Sequence, residues 1–393
     1  MRLGIAALGL ATPIGIGKAA VSANLFAGTR DGLAHRMAIY PDREIHVGRV
    51  TAELPPSFAP YRSRNNSLML LALTEIAAEI DAARMRYGAD RIAVILGTST
   101  AGIAEGEAAF AIRLRKDAWP KDFDYRQQEL GSLAEFVAAD LQIAGPAYTI
   151  ATACSSSAKV FASARRLIMA GLCDAAIVGG ADTICGTTTN GFASLDALSR
   201  GLCQPFSRNR DGINIGEGAA AFLLTREPAD IALLGFGESS DAHHLSAPDP
   251  TGAGAEAAMA AALRDAGLSP ADIAYVNLHG TGTPLNDAME AIAVHRLFGA
   301  GMPCSSTKAM TGHMLGAAGA CEAAFLCLAL HPAHGGGRLP PHLWDGAVDP
   351  AMPPLNLVRP GMQPVPAGRR AMLSSSFAFG GSNMALVLGY GDT

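Results

Sequence analysis

Several things are missing from this 393-residue chain. It has seven cysteines, an odd number, and no C-x-x-C pair among them. That excludes a simple disulfide framework or a zinc ribbon and suits a reducing, cytoplasmic setting. It has no block of like charges, and its net charge is −5, so non-specific nucleic-acid binding is not expected. It has no uninterrupted apolar stretch near the ~20 residues that span a membrane. The opening MRLGIAALGLATPIG runs into a Pro/Gly turn without a clear cleavage site, and reads as a first core strand rather than a signal peptide. The 44 glycines form no low-complexity run, so they belong to turns and close packing. GIGKAA is no P-loop, GFGESS no dinucleotide fingerprint, and no G-x-S-x-G occurs. His243-His244 lacks a ligand at metal-site spacing, so no metal and no cofactor are expected.

What is present is a large apolar fraction: 49% hydrophobic against 17% charged residues, enough for a sizeable core and too little polarity for disorder. A weak internal repeat organises it. MRLGIAALGL corresponds to DIALLGFGES. DRIAVILGTST corresponds to DIAYVNLHGTGT, both apolar strands ending in a Gly-Thr or His-Gly-Thr corner. YTIATACSSSAKVFASARRLI corresponds to MPCSSTKAMTGHMLGAAGACEAAFLCLAL, and DAAIVGGADT to AMLSSSFAFGGSNMALVLGYG. The apolar runs do not alternate, as in strands covered on both faces. The Ala/Gly-rich helices near 155–172 and 314–330 read as buried all round. The chain is therefore α/β with two similar halves, residues 1–230 and 231–393. The first half carries insertions near 30–85, with the exposed-looking PPSFAPYRSRNN, and near 104–140, with the charged and aromatic RLRKDAWPKDFDYRQQ. Such insertions build partner surfaces or lids.

Candidate chemistry sits at the strand ends, where ligands gather in α/β sheets. Cys154 ends a strand and opens a helix, whose free N–H groups favour a thiolate, and its neighbours are small. A buried inert thiol is the competing reading, and it is the one taken for Cys173, Cys185, Cys203, Cys304, Cys321 and Cys327. His279 ends a strand before a Gly-Thr corner, and Lys308 and His313 flank another corner. Phe379-Gly380-Gly381 can aim a backbone N–H at a reacting oxygen, or simply turn a hairpin.

In order, TACSSSA, PFSRNRDGINIGEGAA, HGTGTPLND with Glu290, SSTKAMTGHMLGAAGA and SFAFGGSN resemble the β-ketoacyl-acyl-carrier-protein synthases of the type I/II group, over nearly the whole chain. The resemblance implies the thiolase fold: two βαβαβαββ halves in a five-layered αβαβα arrangement. It implies a decarboxylative Claisen condensation of malonyl-carrier protein with an acyl group held on Cys154. Cys154, His279, His313 and Lys308 are then catalytic, with the backbone N–H groups of Cys154 and Phe379 as oxyanion hole. Lys308 is expected to pair with Glu290 and organise the site, and Phe377 and Phe379 to gate the acyl pocket. Acidic acyl carrier protein, acyl- and malonyl-loaded, is the expected partner, and Arg62, Arg64, Arg113, Arg115, Lys116 and Arg208 are candidate contacts. A homodimer is implied, with a heterodimer with a related synthase as alternative, including a non-catalytic, chain-length-factor-like role for this chain. Details such as SSSAK and FAFGG resemble the divergent synthases of secondary pathways, aryl polyene or other polyene-type lipids, more than housekeeping fatty-acid enzymes.

Overall fold

A computed structural model describes residues 1–40, 43–336, 338–361 and 371–391. Ten strands form the frame: β1 (Leu3–Thr12), β2 (Ile92–Gly97), β3 (Ala147–Ile150), β4 (Ala175–Asp182), β5 (Gly218–Thr225), β6 (Ile231–Ser240), β7 (Ile273–Asn277), β8 (Pro303–Ser305), β9 (Ala371–Ala378) and β10 (Ser382–Tyr390). Their spatial order is β3-β2-β4-β5-β1-β6-β10-β9-β7-β8, and a two-residue strand, Asn356–Leu357, follows β8. Read from either end the pattern is the same. Three parallel strands, β3-β2-β4 or β8-β7-β9, are followed by two antiparallel ones. The halves meet where β1 pairs antiparallel with β6, Leu3 opposite Leu233. All four sequence correspondences fall on equivalent strands.

Eight helices matter for the site and its layers: α1 (Arg64–Thr74), α2 (Ile103–Lys116), α3 (Ser132–Asp140), α4 (Ser156–Met169), α5 (Gly186–Ser194), α6 (Ala253–Ala266), α7 (Pro284–Phe298) and α8 (Ala318–Leu330). Three apolar clusters mark the helical layers. The central one joins α4 and α8 to the inner faces of both half-sheets. One outer cluster holds α1 and α3, the other α6 and α7. This is the five-layered arrangement of the thiolase fold. Every residue of α8 is buried, as its Ala/Gly composition requires. A Cβ on Gly319 would stand 2.7 Å from that of Ala158, so only glycine lets α8 approach α4 so closely. α4 itself is largely buried, with Lys159, Ser163 and Leu167 partly covered and Arg166 and Met169 reaching solvent near its C-terminal end. At the centre, Phe161 and Phe222 meet edge-on at 5.0 Å, and truncating either would cost about 3–5 kcal/mol.

One surface expectation fails. The SRNN of the first insertion is interior: Ser63, Asn65 and Asn66 are buried at the start of α1. The reason is capping and turn chemistry. Ser63 Oγ accepts from Asn66 N, and the Asn66 amide donates to Tyr61 O at 2.6 Å. Ser63 and Asn66 serve the backbone rather than the solvent, and Asn65 donates to Thr98 Oγ1 at 3.4 Å. The second insertion faces outward in its first part, with Phe110, Leu114 and Trp119 exposed, and ends in α3, which is largely buried in the outer cluster. Among the described residues no helix is long and apolar enough to cross a membrane.

Candidate active site

The nucleophile corner is built from small residues because the chain turns sharply there. Ala153 adopts φ +51°, rare for a residue with a side chain, and this places Cys154 at the mouth of α4. Hydroxyls stabilise the turn: Ser156 Oγ donates to Ala153 O at 2.6 Å and accepts from Thr152 N at 2.9 Å. His279 follows β7. His313 lies between the short helix Lys308–Thr311 and the turn Leu315–Ala317. Its backbone is gripped by the other half: His313 N donates to Asn214 O at 2.7 Å, and Gly216 N to His313 O at 2.8 Å.

These elements bring the three reactive side chains together. Cys154 Sγ and His313 Nε2 are 3.0 Å apart. The two imidazole rings are 5.2 Å apart and nearly perpendicular. The reactive atoms of all three residues lie within 4.8 Å of one another. Such a donor set has the count for a soft metal ion, but the Lys308 ammonium acts on all three groups and opposes a second cation. Phe377 stands 6.1 Å from His279, and Phe379 5.5 Å from Phe192. A cavity of about 370 Å³ lies over the cluster, with Cys154, His279, His313, Phe377, Phe379 and Leu285 in its wall.

Burial sets the charge state. It pushes the Cys154 thiol up to about 12, against the Lys308 charge and the backbone N–H groups of Phe379 and Cys154, which approach the sulfur. The thiolate expected from the helix N-terminus is therefore outweighed by desolvation. Burial first, and Lys308 second, hold His279 and His313 well below the ordinary histidine range, so both rings are neutral at pH 7.

Lys308 does not pair with Glu290. Its ammonium donates to the Glu322 carboxylate and to His279 O. Glu290 serves backbone instead, accepting from His279 N and Gly280 N, each at 2.7 Å, and from Ser375 Oγ at 2.9 Å. Geometry decides this: Glu290 on α7 faces the N–H side of the His279 corner, and Glu322 on α8 faces its carbonyl side. Glu322 was findable. It is the sole charge in an all-apolar helix, and a buried charge must have a partner.

The basic candidates divide. Arg64 is spent internally, paired with buried Glu217 at 2.6 Å and donating to Val50 O. Arg113 pairs with Asp117 on the surface of α2. Arg62, Arg115, Lys116 and Arg208 are exposed. None of the six lines the Cys154 cavity.

Residues 60–229 match the β-ketoacyl synthase N-terminal domain, and residues 231–342 the β-ketoacyl synthase C-terminal domain. The 3-oxoacyl-[acyl-carrier-protein] synthase 2 of Synechocystis sp. is 33% identical over 327 residues, 76% of this chain and 75% of that protein. The chain belongs to the β-ketoacyl synthase family. The synthase 2 of Staphylococcus aureus is also 33% identical, over 76% of this chain and 77% of its own. Among solved structures, a ketosynthase (ApeO) in complex with its chain length factor (ApeC) from Xenorhabdus doucetiae is 46% identical. It superposes with a TM-score of 0.94 over 99% of this chain and 98% of that one. The ishigamide ketosynthase/chain length factor gives 26% identity and a TM-score of 0.88, over 99% of each chain.

Proposed function

We propose that this synthase chain condenses malonyl-carrier protein with an acyl group that it first takes onto Cys154. The supporting observation is convergence: the Cys154–His313 contact at 3.0 Å, the His279 ring and the Phe379 N–H all face one cavity. In the first half-reaction Sγ attacks the acyl thioester carbonyl. The thiol proton passes to His313 Nε2 and then to the departing carrier thiolate, so the C–S bond to the carrier breaks as that to Cys154 forms. In the second, the malonyl C–CO2 bond breaks, and its electron pair moves onto the thioester carbonyl as an enolate. Neutral His279 and His313 keep one N–H each to donate to that oxygen. The enolate carbon attacks the acyl carbonyl, whose oxyanion meets the N–H groups of Cys154 and Phe379. Collapse expels the Cys154 thiolate, which is reprotonated as the β-ketoacyl product leaves. Lys308 is held by Glu322 and touches His279 only through its carbonyl. Its role is to keep the two imidazoles neutral, not to act as base.

The same reading gives the chain a thiolase-fold partner. β3, which leads straight into the Cys154 corner, is the outermost strand at its end of the sheet and only partly covered. Exposed Phe110, Leu114 and Trp119 add apolar area in the second insertion. The likeness to a ketosynthase that works with a chain length factor favours a second, related chain over a second copy. Acyl carrier protein docks at the cavity mouth, and Arg208, exposed but outside the cavity wall, is a candidate basic contact.

Intact-mass spectrometry tests the proposal. Wild type and Cys154→Ala are exposed to carrier proteins bearing saturated, polyunsaturated and aryl-primed acyl groups, alone and with a co-expressed partner. Acyl mass gained by the wild type only, followed by product on adding malonyl-carrier protein, is the expected result. Condensation by Cys154→Ala would overturn it. Gel filtration with the same samples separates a self-sufficient homodimer from a chain that needs its partner.

A further inference from the structure

Asp182, the last residue of β4, is completely buried, yet the condensation scheme makes no use of it. Its two oxygens are divided between two places. Oδ1 accepts from Thr98 Oγ1 at 2.6 Å, Ser99 N at 2.8 Å, Thr100 N at 2.9 Å and Thr100 Oγ1 at 2.8 Å, all in the corner after β2. Oδ2 accepts from Gly316 N, three residues beyond His313. The corner after β2 in turn touches the nucleophile: Ser99 Oγ donates to Ala153 O at 3.2 Å, the carbonyl of the left-handed residue before Cys154. The fit around Gly316 is tight. A Cβ there would meet Ser99 Oγ at 2.5 Å and Asp182 Oδ2 at 2.8 Å.

Cys154 and His313 stand on different halves of the molecule, so their 3.0 Å contact depends on what ties the halves together at that point. Asn214 and Gly216 hold the backbone of His313 itself. We infer that Asp182 is a positioning residue that clamps the far side of the His313 turn to the Cys154 corner, through Gly316 on one oxygen and the Thr98–Thr100 corner on the other. It touches neither substrate nor the reacting atoms. The inference about rate rests on the condensing function proposed above; the inference about geometry does not.

Asp182→Asn breaks one arm of this clamp; it also removes a charge that raises the Cys154 thiol, a change that favours the thiolate and so opposes the loss of rate the clamp predicts. The amide oxygen keeps the four Oδ1 donors, and the amide nitrogen then faces Gly316 N–H, donor against donor. The fold keeps its larger set of bonds while the His313 turn loses its anchor. Two readouts apply. A crystal structure of Asp182→Asn should show Cys154 Sγ and His313 Nε2 apart by more than about 3.5 Å, beyond hydrogen-bond reach. Condensation should show kcat down by about 10- to 100-fold, with the KM for malonyl-carrier protein within about twofold, as misplacement rather than lost binding predicts. A retained contact with an unchanged kcat overturns the clamp. So does a rise in KM at constant kcat. If wild type condenses nothing, the proposed function fails, and the crystal structure still judges the clamp alone. Should Asp182→Asn not fold, Ser99→Ala serves in its place. It removes one hydroxyl, on the Cys154 side, and should lower kcat in the same direction by a smaller factor; a Ser99→Ala enzyme with wild-type kcat would overturn the clamp.

Discussion

At the end of β2 the backbone N–H groups of Ser99 and Thr100 donate to Asp182; at the end of β7 those of His279 and Gly280 donate to Glu290. These corners are equivalent in the pseudo-symmetric sheet, and each closes on a buried carboxylate. What differs is the residue at the apex. The first corner spends its side chains, Thr98 and Thr100, on the carboxylate and presents no reactive group. The second presents an imidazole. The ends of β4 and β9 split in the same way. Asp182 pairs with Gly218, the first residue of β5, and Ala378 with Ser382, the first residue of β10, so the two positions correspond. One holds a carboxylate that ties the halves together. The other leads into Phe379, whose N–H reaches the Cys154 sulfur. At these two pairs of corners the duplicated scaffold gives one copy to holding and the other to chemistry; at the pair after β3 and β8 both copies carry chemistry, Cys154 on one and His313 on the other.

Paired substitutions at the two corners test that division. His279→Ala should lower condensation by about 10²- to 10⁴-fold with little change in stability. Thr98→Val, which removes a buried hydroxyl from Asp182 but leaves the Gly316 arm intact, should cost about 1–3 kcal/mol of stability and leave kcat within a few-fold. Kinetics and urea unfolding on both variants decide it, and equal rate losses would break the comparison. The next effect in size concerns how each half keeps a buried carboxylate. Asp182 is held by neutral donors, and Glu322 by the Lys308 ammonium. Glu322→Ala should therefore destabilise by about 3–5 kcal/mol, because it strands a buried cation. Replacing both, Lys308→Met with Glu322→Leu, should recover most of that stability in urea unfolding but not the condensation rate. A double variant as unstable as the single one would show that the pair is not the source of the loss.

Much of this was legible in the chain. Cys154 and His279 each follow a strand end and His313 the corner beyond β8, all among small residues, and an α/β sheet brings such corners together. The repeat was legible because buried strands repeat as uninterrupted apolar runs. Partnerships across layers were not. Glu290 on α7 and Glu322 on α8 were both available to Lys308, and which carboxylate meets the ammonium depends on whether α7 or α8 lies behind the His279 carbonyl. Asn65 and Asn66 look solvated by type, and only the bond of Asn65 to Thr98 and the capping and turn bonds of Asn66 show why they are interior. The thiol was misjudged for a related reason: position at a helix start is readable from sequence, while the depth of burial that outweighs it is set by the opposing half. Asp182 was hidden in an apolar strand, AAIVGGAD, where a closing Asp reads as a turn residue.

The smallest expected effect is a slope. Burial pushes the Glu290 carboxyl up to about 7 from its ordinary value of 4.5, against its backbone and hydroxyl donors. Between those values the folded protein binds more protons at Glu290 than the unfolded chain does, so this group makes stability fall as pH rises from about 4.5 to about 7. His279 and His313 act oppositely. Their folded values lie well below 6.5, so the unfolded chain binds the extra protons, and their contribution is lost as pH falls through and below 6.5. The two terms partly cancel at a single corner, since Glu290 holds the backbone of the very residue that carries one of the imidazoles. Glu290→Gln removes only the first term. Urea unfolding at pH 5, 6 and 7 should then show stability rising more steeply with pH than in wild type. The matching substitution at the other corner, Asp182→Asn, removes a carboxyl that burial also raises, and steepens the profile over whatever range lies between its unfolded and folded values. A steeper profile from one corner and not the other would mean that the two buried carboxylates, alike in geometry, differ in charge at neutral pH.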